Sequence, residues 1–314
     1  MKIAFLVNST IRKLTTVRKE IEAAFKDQEI KFFLSERAGH IYELAQTAIS
    51  SGYENIIVVG GDGTLNEGIN GIVNNFKTGL GNTTDAFDWE KIKQIKVGVY
   101  PAGSGNDFVR TVYKDAHLNT LKKLIQGNRS QLIDVGWVSF YNPEGQASTR
   151  FYMNITDVGM GGETVLKKER LPKWFGADLS YFWSITSTVA TYDNCNVRAF
   201  NESFEWSGKV INMIVANGKY FGNGLGIAPD AEVTDGKFTF VIIGDINLLD
   251  YFKNLGTVKK AIKLDHPKVE YHSFEKISIE STDARKISID MDGEFIGYAP
   301  MTLICLQQKI NFFM

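Results

Sequence analysis

Three stretches of this sequence carry residue types that could do chemistry. In Val58-Val59-Gly60-Gly61-Asp62-Gly63-Thr64-Leu65-Asn66-Glu67, an apolar run stops at a cluster of glycines that encloses one carboxylate, and the pattern then turns helical. Backbone N–H groups at a helix N-terminus attract anions, and glycines let a phosphate come close to the main chain. Asp62 could hold Mg²⁺ or accept a proton beside that phosphate. Thr64 could cap the helix or bind phosphate, and Asn66 and Glu67 lie in the first turn, where they can orient the loop. A plain strand-to-helix turn with a local Asp needs fewer glycines. The second stretch, Pro101-Ala102-Gly103-Ser104-Gly105-Asn106-Asp107, also ends a strand-like run and opens a helical one. The third is Asp292-Gly293-Glu294. Its two acids share one face of a strand unless Gly293 makes a turn, and a carboxylate that takes a proton from an alcohol must touch the hydroxyl. The plainer reading is a β-turn with solvated acids.

The elements around these stretches decide whether they can meet. KIAFLVN (2–8), IKFFLS (30–35), NIIVVGG (55–61) and KVGVYPAG (96–103) read as strands, alternating with helical patterns near 14–27, 40–51 and 64–76 and from about 106. Such alternation predicts a parallel α/β sheet. The continuous apolar run at 55–61 predicts a strand covered on both faces. Neighbouring parallel strands would bring both glycine loops to the carboxyl edge, where open α/β folds bind ligands. No Walker motif is present, because the Gly-Lys pairs at 208, 218 and 236 are not followed by Ser or Thr. Residues 77–94 read as a surface excursion. After residue 130 short strand-like runs dominate, with helical inserts near 161–192 and 247–263, so the domain boundary is expected near 130.

GGDGTLNE followed by PAGSGNDF resembles the catalytic domain of the diacylglycerol kinase family, in particular its bacterial soluble lipid-kinase branch, related to sphingosine and ceramide kinases. The likeness continues through Asn217-Gly218-Lys219-Tyr220-Phe221-Gly222-Asn223-Gly224, Pro229-Asp230-Ala231, Asp235-Gly236-Lys237-Phe238 and Asp292-Gly293-Glu294. The resemblance implies a Rossmann-like nucleotide domain over 1–130, to which residues 306–314 return. It implies a β-sandwich-like lipid domain over 131–305, with the active cleft between the two. It also implies ATP, Mg²⁺ and a lipid hydroxyl as acceptor. By position, Gly60, Gly61, Asp62, Gly63, Thr64, Leu65 and Asn66 fall on the family's nucleotide loop, Ser104 on its second nucleotide contact, and Ser35 where a Thr is common. Asn8, Ser9, Thr10 and Arg12 stand where the family has an Asn-Pro loop, and Arg12 could touch phosphate. Asp62 would join the phosphate and metal chemistry. Glu294 would accept the acceptor's proton, assisted by Asp62 or Asp292. A structural Mg²⁺ would sit at Asp235, with Glu232 and the Lys237 main chain; a plain hairpin turn is the other reading there. The chain departs from the pattern at Asn8–Arg12, at Asn223 in place of glycine, and at Glu163 in place of Asp.

Bulk properties exclude several classes. The 314 residues are 44% hydrophobic and 23% charged, with a net charge of −1, which argues against broad nucleic-acid binding. Cys195 and Cys305 are far apart, so a reducing compartment fits. His40, His117, His266 and His272 have no metal-type spacing. No apolar run approaches the roughly 20 residues of a membrane span, and the N-terminus shows no signal-peptide pattern. A cytoplasmic protein with transient peripheral contact at the inner membrane surface is expected. Lys167, Lys168, Arg170 and Lys173 beside Trp174, Phe175, Tyr181, Phe182 and Trp183 mark the lipid-facing region, with a core helix as the bland alternative. A homodimer is compatible with the sequence. The rival activities are NAD kinase, which shares a GGDGT loop, and a nucleotide- or lipid-binding protein without catalysis.

Overall fold

The computed structural model describes residues 1–79, 81–113, 115, 117–169, 183–184, 186–188, 191–246, 248–283 and 285–314. The chain forms two compact units, Met1–Val135 with Gln307–Met314, and Gly136–Leu306. The first break falls inside a continuous strand, β5 (Gln131–Tyr141), so no linker composition marks it.

The first unit alternates β1 (Lys2–Val7), α1 (Leu14–Ala24), β2 (Glu29–Leu34), α2 (His40–Ser50), β3 (Asn55–Gly60), α3 (Asp62–Asn75), α4 (Trp89–Ile92), β4 (Lys96–Pro101), α5 (Asp107–Val112) and α6 (Leu118–Gln126). The strands lie in the order β2-β1-β3-β4, all parallel. The order reverses between β1 and β3, so the loops that follow these two strands diverge there and leave a crevice at the carboxyl edge. Ile3–Leu6 and Ile56–Val59 are fully buried, as continuous apolar runs in a doubly covered sheet must be. Residues 77–94 are not a bare excursion. Lys77 bridges to Phe87, and Ala86, Phe87 and Ile92 are buried, because the apolar residues late in this segment anchor it.

The second unit contains the rest of β5, then β6 (Ala147–Tyr152), β7 (Ile155–Gly159), α7 (Met160–Glu169), β8 (Cys195–Phe200), β9 (Glu205–Ala216), β10 (Phe238–Gly244), α8 (Leu248–Lys259), β11 (Val269–Phe274), β12 (Lys276–Ser281), β13 (Ser288–Met291) and the first part of β14 (Glu294–Phe312). The sandwich-like expectation needs refining. The antiparallel pairings run β9-β7-β13-β14-β12-β8 and back to β9, a closed barrel. Closure follows from two long strands that serve several partners in succession. β9 pairs with β8 over Glu205–Val210 and with β7 over Asn212–Ala216. β14 pairs with β13 from Glu294 and with β12 over Met301–Ile304. Val158, Val197, Met213, Ile277, Ile289 and Leu303 fill the interior. Residues 170–182 of the expected lipid-facing stretch lie outside the described residues. Trp183 is exposed, and Lys167 donates to the Thr191 hydroxyl at 2.7 Å.

The end of β14 belongs to the first unit. Asn311 and Phe312 pair in parallel with Lys96 and Val97 of β4. Phe312 is fully buried, edge-on to Phe108 with ring centroids 5.5 Å apart. Replacing Phe312 with Ala leaves a cavity under α5 and should cost about 3–5 kcal/mol; thermal or urea unfolding of the purified variant measures it.

Candidate active site

The loops of the first unit are assembled by short-range polar contacts, and the glycines are what allow it. A Cβ on Gly103 would collide with the Gly61 backbone, so the two glycine loops touch main chain to main chain. The Ala102 amide donates to the Gly60 carbonyl at 2.9 Å. Asn106, held in the left-handed region (φ 52°), folds its carboxamide back on the Gly103 amide and carbonyl at 3.0 and 2.8 Å.

Across this contact lies the Asp62 carboxylate. Its Oδ2 accepts from the Asp107 amide at 2.9 Å and its Oδ1 from the Phe108 amide at 3.0 Å. A side chain at the start of α3 thus satisfies the orphan amides at the start of α5. Burial pushes the Asp62 carboxyl above its ordinary value, against the Asp107 and Phe108 amides, which pull it down. Glu67 does the same in the other direction, its Oε1 accepting from the Gly39 amide at the start of α2 at 3.1 Å. The acids of this stretch are therefore helix clasps. Asp107 is a second carboxylate of this loop that the residue patterns did not single out. It is buried, pairs with Arg110 at 3.5 Å, and flanks Gly105 together with Asp62, each carboxylate 3.3 Å from the position of a Gly105 Cβ.

The remaining nucleotide candidates join the same network. Asn8 donates to the Thr64 hydroxyl at 3.1 Å and accepts from the Thr10 amide and hydroxyl at 3.0 and 2.8 Å. The Ser9 amide donates to Ser35 Oγ at 3.1 Å. Leu65 and Asn66 are buried beneath the loop, while Arg12 and Ser104 are exposed. Gly60, Gly61 and Gly63 supply the loop's main chain. Asn8–Arg12, Ser35, Gly60–Asn66 and Ser104 thus follow four parallel strands at one sheet edge.

In the second unit Asp292 and Glu294 do not share a face. β13 ends at Met291 and β14 starts at Glu294, and between them Asp292 (φ 50°) and Gly293 (φ 85°) form a two-residue turn. Positive φ at both central positions suits a tight hairpin. Asp292 Oδ1 accepts from the Ile155 amide at 3.0 Å, which ties the turn to β7. Glu294 stands half-exposed, its Oε2 held by Arg150 at 2.7 Å. Arg150 lies 144 residues away in sequence, and no local pattern could have revealed it. Asp235 accepts from the Lys237 amide at 3.0 Å, a turn contact; Glu232 and Lys237 are exposed beside it. Among the described residues no three His, Cys, Asp or Glu side chains converge on a metal position.

The diacylglycerol kinase catalytic domain matches residues 2–138, and the YegS C-terminal NAD kinase beta sandwich-like domain matches residues 159–314. A diacylglycerol kinase of Staphylococcus carnosus is 25% identical over 283 residues, 90% of this chain and 84% of that protein. One of Staphylococcus haemolyticus is 23% identical over 300 residues, 96% of this chain and 82% of that protein. Two solved structures from Bacillus anthracis superpose with TM-scores of 0.74 and 0.67 at 20% and 19% identity, covering 99% of this chain and 97% and 96% of theirs. The two domain matches and the named relatives together define a two-domain kinase. The chain belongs to the diacylglycerol kinase catalytic-domain family, in its bacterial branch, and is a lipid kinase.

Removing the Asp62 carboxylate should loosen the second loop. Asp62→Ala leaves two buried amides without an acceptor and should cost about 1–3 kcal/mol of stability. Asp62→Asn, which keeps one acceptor oxygen, should cost less, and hydrogen exchange at the Asp107 and Phe108 amides should quicken in both variants.

Proposed function

We propose that this lipid kinase uses ATP with Mg²⁺ and transfers the γ-phosphoryl group to the hydroxyl of a lipid such as diacylglycerol. The observation that carries the reading is the glycine-lined loop pair at the carboxyl edge of the parallel sheet, where two carboxylates flank Gly105. These residues fit a magnesium nucleotide, since Mg²⁺ is commonly bound through one or two carboxylates plus substrate phosphates. The candidates are Asp62 and Asp107, with the Gly60–Gly63 main chain and the exposed Ser104 and Arg12 facing phosphate. When bound, the ion neutralises charge that builds on the phosphoryl oxygens.

The protein's part is positional. Asp62 and Asn106 fix the second loop, Asn8 and Ser35 fix the first, and Glu294 takes the proton from the acceptor hydroxyl while Arg150 holds its carboxylate in one orientation. Among the described residues no helix is long and apolar enough to cross a membrane. The lipid is met at a surface, and the basic and aromatic residues from Lys167 to Trp183 suit that contact. A peripheral position at the inner membrane face follows from the same reading.

Glu294→Gln should lower turnover at least about 100-fold and leave ATP affinity intact; single-turnover transfer and calorimetric ATP titration report the two separately. A large loss of ATP affinity would instead put Glu294 on the nucleotide. Labelled ATP is then offered with diacylglycerol vesicles and, separately, with NAD. Label is expected in phosphatidic acid, and label in NADP alone would overturn the lipid assignment.

A further inference from the structure

A second cluster of acids lies in the barrel unit, outside the residues used above. Asp157 of β7 and Asp290 of β13 stand directly opposite each other in the antiparallel pairing, and residues in such a pair point to the same face. On the neighbouring strand β9, Asn212 stands opposite Gly159, two residues along from Asp157. Val158, Met213 and Ile289 fill the barrel interior, so the alternation places Asp157, Asn212 and Asp290 on the outer face, under α7. There they line a cavity of about 60 Å³, with Thr164 and Val165 of α7 and Ile214 among its walls. The Asp157 carboxylate rests against Gly161 in the first turn of α7, where a Cβ would collide with it.

What is missing around this cavity is specific. Both oxygens of Asp157, Oδ1 of Asp290 and Oδ1 of Asn212 are buried without a hydrogen-bond partner. The Asn212 side chain lies close enough to favour the Asp157 anion, yet neither Asp157 oxygen receives a hydrogen bond of acceptable geometry. All four orphans are acceptors, so whatever satisfies them must donate protons or carry positive charge. Burial raises Asp157, and burial together with Asp157 and Asp292 raises Asp290 well above the carboxylate range. The Gly293 amide and, after it, Lys168 pull Asp290 the other way without offsetting this.

We propose that this cavity binds one divalent, oxygen-preferring cation, held by Asp157, Asp290 and the carbonyl oxygen of Asn212. Two facing carboxylates repel unless a proton or a cation lies between them, and a divalent charge matches the pair. Hard cations take carboxylate, amide and water oxygens, and the volume admits an ion with roughly one or two waters. With no third acid converging among the described residues, amide and water oxygens complete the shell, a set that suits magnesium, calcium or manganese better than zinc. Bound there, the ion ties three strands of the barrel together beneath α7. This assignment is independent of the nucleotide reading.

The test uses the full chain, chelator-treated and free of nucleotide. Mn²⁺ binding is followed by electron paramagnetic resonance, and Mg²⁺ and Ca²⁺ by thermal unfolding. Wild type should bind Mn²⁺ saturably at one site and melt several degrees higher with divalent ion. Asp157→Asn and Asp290→Asn should each weaken Mn²⁺ binding by about 100-fold or more, beyond the loss typical of supporting residues. Without metal, Asp290→Asn should unfold in one cooperative transition with the circular dichroism of wild type, which separates loss of a ligand from loss of the fold. The absence of saturable binding to wild type, undiminished binding in both variants, or a response to Na⁺ or K⁺ alone would overturn the assignment. So would a site lost in Asp62→Asn and retained in Asp157→Asn.

Discussion

The Asp62 carboxylate, one side chain accepting two amides of another helix, holds the first unit's loops in register. Without it the glycine loops after β3 and β4 would be flexible by composition, because glycine loses more conformational freedom on folding than any other residue. The clasp restricts them by tying the start of α3 to the start of α5. Glu67 adds a second tie to α2, so α3 is fastened at its first two turns to both neighbouring helices. The first loop then hangs on α3 through Asn8 and Thr64.

The two glycine stretches, the alternation of strands and helices and the β-rich texture after residue 130 were all legible, because they depend on local composition and period. The signal at Asp62 was real, but its geometric meaning was not local: the partner amides belong to a helix 45 residues on. The same holds for Arg150 against Glu294. Barrel closure was hidden for a related reason, since it depends on which parts of β9 and β14 serve which neighbours, and residue periodicity is silent about partners. Asp292 and Glu294 illustrate the opposite case. The glycine between them carried the answer, and a two-residue turn overrode the strand period.

The barrel unit places acids in three different surroundings. Glu294 is half-exposed and paired with a guanidinium, Asp292 is tied to the β7 backbone, and Asp157 is buried beside a partly exposed Asp290 whose Oδ1 alone is shut from solvent. A carboxylate that must exchange a proton with a substrate needs access, and of these Glu294 has it. The facing pair Asp157 and Asp290 is better suited to holding a charge in place than to turning one over.

The membership of Gln307–Met314 in the first unit has a consequence for synthesis on the ribosome. The unit with the glycine loops emerges first, yet its sheet lacks the segment that pairs with β4 until the whole barrel sequence has been translated. Until then the β4 edge at Lys96 and Val97 stays open to pairing with other chains. Domains tend to fold in the order in which they emerge; here the earlier unit must wait for Gln307–Met314, which follow the barrel in sequence, and the interval is set by the length of the insert.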